Sequence, residues 1–260
     1  MRHATLLLLL ALAGCAGTPS PVALPAPPTV AAAVGELRPG ILNGYLGPAR
    51  LPDSAALLPP PPAAGSPAQA ADEAGFDALA KAPAERFALA SRDAALGFPE
   101  VASSFTAVID VTLDERTTPH AAMLLRRALT DAGLSTYAAK QRHMRTRPFV
   151  ARSLPTCTPA DEAFLKTDGS YPSGHAAIGW MLALVFTELA PDRQDALLQR
   201  GLDFGESRIV CRVHWPSDVA AGRLMASAAF ARLQADPVFA AQRDLARAEI
   251  AAQRKAAASR

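Results

Sequence analysis

Cysteine is scarce in this chain: Cys15, Cys157 and Cys211 are the only three in 260 residues. Cys157 and Cys211 stand too far apart for the short ligand spacing of a zinc site. Aromatic residues make up 6%, and 26 basic residues nearly balance 24 acidic ones. A formal charge of +2 creates no field that gathers nucleic acid or a membrane surface, so any anion site must come from local clustering. No apolar run reaches the roughly 20 residues of a spanning helix, which excludes a polytopic membrane protein. From residue 68 onward no two-residue alternation is sustained, and no Asn-Gly or Asp-Gly separates strand-like runs. What is present is apolar content, 50% of residues, too much for a disordered chain and enough for one domain with a core.

The N-terminus carries an address. Arg2 and His3 precede an apolar stretch from Ala4 to Ala13, which has the length of a signal-peptide core and is too short to cross a bilayer. Leu12-Ala13-Gly14-Cys15 resembles a bacterial lipobox, in which Cys15 is lipidated and becomes the mature N-terminus. Cleavage after a small-residue site such as Ala11-Leu12-Ala13 is the other reading. Both export the protein. The division expected is a signal peptide over 1–14, a Pro/Ala-rich tether over 15–44 and one domain over 45–260. Of 23 prolines, thirteen lie between Pro19 and Pro67, a composition that favours a semi-extended linker. The run Leu57-Leu58-Pro59-Pro60-Pro61-Pro62 reads equally as a docking segment or as more linker. In an oxidising compartment the even pair Cys157 and Cys211 is expected to form a disulfide.

The body of the chain reads as all-α. Thr118-Pro119 opens a helix that Gly133 closes, and a second is expected from Ser135 to about Thr146, ahead of Pro148. Residues 173–190 are apolar nearly all round, the mark of a central helix. Others are expected over 194–209 and 216–233. The Ala-rich segment 236–260 either packs on the domain or frays.

Three clusters carry chemistry. Between Asp131 and Asp161 there is no acid, yet Lys140, Arg142, Arg145, Arg147 and Arg152 all fall there. Lys140 and Arg147, two helical turns apart, would point the same way and suit a tetrahedral oxyanion such as phosphate. In Tyr171-Pro172-Ser173-Gly174-His175, Ser173 and Gly174 would offer first-turn N–H groups to an anion, and His175 titrates near neutrality. In the third, Ser207-Arg208 is followed by His214 and Asp218. A carboxylate four residues on can fix the imidazole tautomer and leave the other nitrogen free to attack.

Together, Lys140-x6-Arg147-Pro148, Pro172-Ser173-Gly174-His175 and Ser207-Arg208-x5-His214-x3-Asp218 resemble, at all eleven fixed positions, the signature of the phosphatidic-acid phosphatase type 2 and vanadium haloperoxidase superfamily. Longer stretches, among them DGSYPSGHAAIGW and GESRIVCRVHWPSDVAAGRLMASAAF, resemble the bacterial class A non-specific acid phosphatases.

The resemblance implies a single helical domain and a metal-free acid phosphatase with no cofactor. His214 would attack phosphorus and form a phosphohistidine, with Asp218 orienting it and His175 protonating the leaving alcohol. Lys140, Arg147, Ser173, Gly174 and Arg208 would hold the phosphoryl oxygens. It implies small phosphomonoesters as substrates (nucleotides, sugar phosphates, aryl phosphates), phosphate transfer to other alcohols as a side activity, and a homo-oligomer. It also implies a periplasmic location, with contact to the outer membrane only through a lipid on Cys15. Three alternatives share features: a lipid phosphatase of the superfamily, a vanadium-dependent haloperoxidase, and a phosphate-binding lipoprotein without turnover.

Overall fold

A computed structural model describes residues 26–259; the signal segment and Cys15 fall outside the described residues. The helices that build its layers are α1 (Pro67–Leu79), α2 (Ala84–Arg92), α3 (Glu100–Ile109), α4 (Pro119–Leu134), α5 (Tyr137–His143), α6 (Gly174–Leu189), α7 (Gln194–Val210), α8 (Pro216–Gln234) and α9 (Pro237–Ala258). The all-α expectation holds, and so does the central place of the most apolar helix. A helix without a polar face can only be satisfied by neighbours on every side. Accordingly α6 packs on α4, α7 and α8, with Met181, Leu182, Val185 and Phe186 fully buried.

The α6–α7 approach depends on two glycines. Gly179 faces the ring of Phe204 and Gly201 faces Ala183, each too closely for a Cβ. Phe105 of α3 stacks on Phe186 at 5.7 Å between centroids and closes the far side of this core.

The C-terminal segment packs rather than frays. Phe239, Ala246 and Ile250 of α9 are fully buried, and α9 lies along α4. Its Glu249 accepts from the backbone N–H groups of His120 and Ala121 at 3.0 and 2.9 Å, capping α4 from another helix. Thr118, expected from sequence to cap α4, instead exchanges bonds with the backbone of Asp114.

The N-terminal part of the described chain is more structured than its prolines suggest. Glu36–Arg38 pairs antiparallel with Ile41–Leu42 in a small hairpin that turns at Gly40, where φ is 80°. Leu42 is fully buried, and Thr130 donates to its carbonyl at 2.9 Å. Asp131 accepts from the N–H groups of Tyr45 and Leu46 at 2.8 and 3.0 Å. The packed chain therefore begins before residue 45, because the Pro39-Gly40 turn sits between apolar residues that reach the domain. Leu58 is buried beside Ala139, Tyr171 and Met225, and the Tyr171 hydroxyl donates to the Pro59 carbonyl, so the proline run is docked.

Cys157 and Cys211 form a disulfide that ties the loop after Pro148 to the end of α7. Among the described residues, no helix is long and apolar enough to cross a membrane.

Candidate active site

The basic cluster is not helical throughout. α5 stops at His143, because Met144 adopts a left-handed conformation with φ 42°. Arg147 then runs extended into Pro148, as a residue before proline prefers. This corrects the expected helix to Thr146, and with it the reason that Lys140 and Arg147 converge. They meet because the chain folds back over the turn at Asp168-Gly169. Asp168 Oδ2 lies 3.4 Å from Lys140 Nζ and 2.8 Å from Arg147 Nη2. The Gly169 carbonyl accepts from the same two groups at 2.6 and 3.2 Å. Asp168, which the sequence did not single out, is thus the counter-charge of both cations. The legible signal was a single acid beside the Pro-Ser-Gly-His run.

Both cations are buried. Burial, reinforced by the Arg147 charge, lowers the Lys140 ammonium to about 8, against the pull of Asp168. Burial also lowers Arg147, with Asp168 and Asp218 opposing.

His214 sits in the turn between α7 and α8, two residues before α8 begins. The N–H groups of Val213 and His214 both donate to the Arg208 carbonyl, at 3.1 and 3.2 Å, which holds His214 beside Arg208. His214 Nδ1 is 3.4 Å from Asp218 Oδ2, and Nε2 is 3.0 Å from Arg147 Nη1. A guanidinium can only donate, so Nε2 is the acceptor and the proton resides on Nδ1, toward Asp218. Burial, and then the charges of Arg147, Lys140 and Arg208, push the imidazole well below its usual range. His214 is a buried neutral base with its lone pair on Nε2.

Asp218 is fully buried and saturated with donors. Oδ2 accepts from the Trp215 N–H at 2.8 Å and from the Ser170 hydroxyl, while Oδ1 accepts from Arg145 Nη1 at 2.6 Å. Arg145 belongs to the basic run, but its sequence position assigned it no task. It spans Asp218 and Asp72, reaching Asp72 Oδ2 at 2.8 Å, and also bonds Gln69 and Ser217. Finding it from sequence would have required knowing that α1 packs on the start of α8.

His175 lies in the first turn of α6. Its Nε2 is 3.1 Å from the Ala94 carbonyl, which can only accept, so Nε2 carries a proton and Nδ1 is the nitrogen free for chemistry. Burial, with Arg208 next, pushes its pKa well below the usual value, and the Ala94 bond works against that. The loop holding Ala94 is fixed by Asp93, which pairs with Arg200 and accepts from Ser207 at 2.5 Å.

Ser173 and Gly174 are placed differently. Ser173 is fully buried and its Oγ caps α6, accepting from Ala176 N at 3.2 Å. Its own N–H donates to the Asp218 carbonyl at 2.9 Å. Gly174, not Ser173, reaches the cavity wall. The start of α6 is tied so closely to α8 that Gly222, facing the Ser173 carbonyl, has no room for a Cβ.

The cavity has a volume of about 200 Å³, and Lys140, Arg147, His175, Arg208 and His214 all line it. Arg208 is 2% exposed, and its Nε and Nη1 have no partner among the described residues. Burial and the Arg147 charge lower it to about 10, leaving it cationic at neutral pH. Buried guanidinium donors left unmatched are costly, and an oxyanion is the ligand that satisfies them.

One pocket of this helical domain thus gathers Lys140, Arg147 and Arg208 with two histidines, His175 and His214. Residues 121–236 match the PAP2 superfamily. The chain is 41% identical over 213 residues to a non-specific acid phosphatase of Providencia stuartii, covering 81% of this chain and 86% of that one. It is 43% identical over 192 residues to a non-specific acid phosphatase of Salmonella typhimurium, covering 73% and 76%. It is also 43% identical over 199 residues to an acid phosphatase of Zymomonas mobilis, covering 76% and 75%. The chain belongs to the PAP2 superfamily and, within it, to the non-specific acid phosphatases, and it is an enzyme of that class.

Proposed function

We propose that this protein is an exported, metal-independent acid phosphatase that hydrolyses a broad range of phosphomonoesters through a phosphohistidine at His214. The observation that carries the reading is the pairing, in one cavity, of unpartnered Arg208 donors with a His214 whose Nε2 lone pair is free of a proton.

Substrate phosphate oxygens take the donors of Arg208 and Lys140, and draw Arg147 Nη1 from the His214 ring. Nε2 is then released to form a bond to phosphorus as the P–O bond to the leaving group breaks. Asp218 stabilises the imidazolium through Nδ1–H. His175 delivers a proton from Nδ1 to the departing oxygen, then accepts one from the water that cleaves the P–N bond. A phosphate dianion raises the pKa of His175 against the burial that lowers it, so the acid form is populated in the complex. Activity then falls as pH rises through the imidazole range, an acidic optimum. Three cations and the first-turn N–H of Gly174 meet the charge that many phosphatases leave to metal ions. An acceptor alcohol in place of water gives phosphotransfer. The role of Ser173 is to cap the helix that presents Gly174 and His175.

Export rests on the N-terminal apolar segment, and the proposed location is the periplasm, with Cys15 acylated. Mass analysis of the native N-terminus decides between the lipid and simple cleavage.

The test is hydrolysis of p-nitrophenyl phosphate at about pH 5–6 in excess EDTA, just below the free imidazole pKa, with His214→Ala alongside. Wild-type turnover, orthovanadate inhibition and loss of several orders of magnitude in the variant are expected. Loss of wild-type activity in EDTA would sink metal independence; an active His214→Ala would sink the nucleophile.

A further inference from the structure

Above the cationic base, the cavity wall changes character. Leu37 and Ile41 of the hairpin, Leu134 at the end of α4, Tyr137 of α5 and Phe164 of the short helix Glu162–Leu165 form its upper part. These residues come from three separate stretches of chain, yet they line one pocket. Several are strongly exposed for their type: Phe164 62%, Leu37 50% and Tyr137 41%. Scattered apolar residues on a surface need no explanation, but a cluster continuous with a reactive site does. Arg38, on the same wall, adds a cation at the rim. The same cavity holds both groups, so an ester whose phosphoryl group sat on the three cations would lay its substituent against these residues.

We propose that the hairpin 36–42, with Tyr137 and Phe164 facing the same cavity, is a leaving-group subsite that favours phosphomonoesters of apolar alcohols, alkyl or aryl, over those of short ones. It rests on the phosphatase reading and refines the substrate class of that site. The base reads only phosphate oxygens and cannot tell one ester from another. The wall can, because hydrocarbon on the substituent displaces water from Leu37, Ile41 and Phe164. A hydrophobic contact of this kind discriminates by about 10–200-fold for each methylene-sized difference at best, and less where the wall stays partly open.

The experiment compares kcat/KM for hexyl phosphate and methyl phosphate, whose leaving alcohols are chemically alike, so the ratio reports the wall rather than the chemistry. It does not depend on the fraction of active enzyme. The wild type should prefer hexyl phosphate by at least about tenfold. Leu37→Ser/Ile41→Ser should bring the ratio several-fold toward one, and Phe164→Ser, on a separate element, should do so independently if the hairpin variant does not fold. A wild-type ratio near one, or a ratio unchanged in both variants, overturns the subsite. Failure of the wild type to hydrolyse either ester or p-nitrophenyl phosphate would instead overturn the phosphatase reading beneath it.

Discussion

Arg145 Nη1 lies 2.6 Å from Asp218 Oδ1, the carboxylate oxygen not turned toward His214. The same guanidinium holds Asp72 through its other nitrogen at 2.8 Å. One buried cation therefore serves two buried carboxylates, and the one behind the imidazole is held in orientation. Asp72 in turn accepts from the N–H of Ser217 at 2.8 Å, so α1 helps to set the first turn of α8.

Removing that cation should be felt in both stability and rate. Arg145→Ala leaves two carboxylates without their shared partner, a loss of about 3–5 kcal/mol for a buried pair. Chemical denaturation would measure it. Asp218→Asn, which removes the group acting on Nδ1, should lower kcat by about 10³–10⁴, by analogy with other carboxylate–histidine pairs. In the Asp218→Asn background the further effect of Arg145→Lys on kcat should be small, because both act through one carboxylate. Additive losses would show that Arg145 does not work through Asp218.

The cationic base predicts how inhibition by inorganic phosphate varies with pH. Burial lowers the Lys140 ammonium to about 8, so this charge is lost above that pH. Phosphate affinity should therefore weaken above about pH 8, by no more than about tenfold per pH unit for one linked proton. Lys140→Met should bind phosphate more weakly at neutral pH and lack this limb. Parallel profiles in the two proteins would assign the limb to another group.

The two histidines make the ligand-free protein sensitive to acid. Burial holds both well below the usual imidazole value, while in the unfolded chain they protonate near pH 6.5. Below that pH the unfolded state binds more protons, so their contribution to stability falls as pH falls. Asp131, raised to about 7 by burial, works in the opposite sense. The difference between wild type and His175→Asn isolates the histidine. The melting temperature of the wild type should drop more than that of the variant between pH 7 and pH 5. Saturating phosphate should recover part of the drop, since the anion favours the charged ring.

Closing a loop with a separation of 54 residues, the Cys157–Cys211 bridge restricts the unfolded chain. Its loss through the paired Cys157→Ala/Cys211→Ala substitution should cost about 4 kcal/mol in the chain-entropy account. Denaturant midpoints of the two proteins give the value. A midpoint equal to that of the wild type would show that the bridge adds nothing.

The helical class, the central position of 174–189 and the cations and histidines at the base of the cavity were legible in the order of residues. Periodicity, caps and charge are local properties, and a helix without a polar face has one place to go. Why Lys140 and Arg147 converge was not legible, since it depends on where α5 stops and on Asp168 arriving from another segment. Nor could the sequence assign Arg145 to Asp218 or Glu249 to the start of α4. Each of those pairings joins groups distant in the chain through a buried ion pair or an orphaned N–H, and only packing brings the partners within reach. The hairpin was hidden by the prolines around it, although its turn was written in Pro39-Gly40. Its place on the cavity wall was decided by Leu42 and Thr130, a contact across 88 residues of chain. Composition sees residues one at a time, whereas the site is made by segments that meet only after folding.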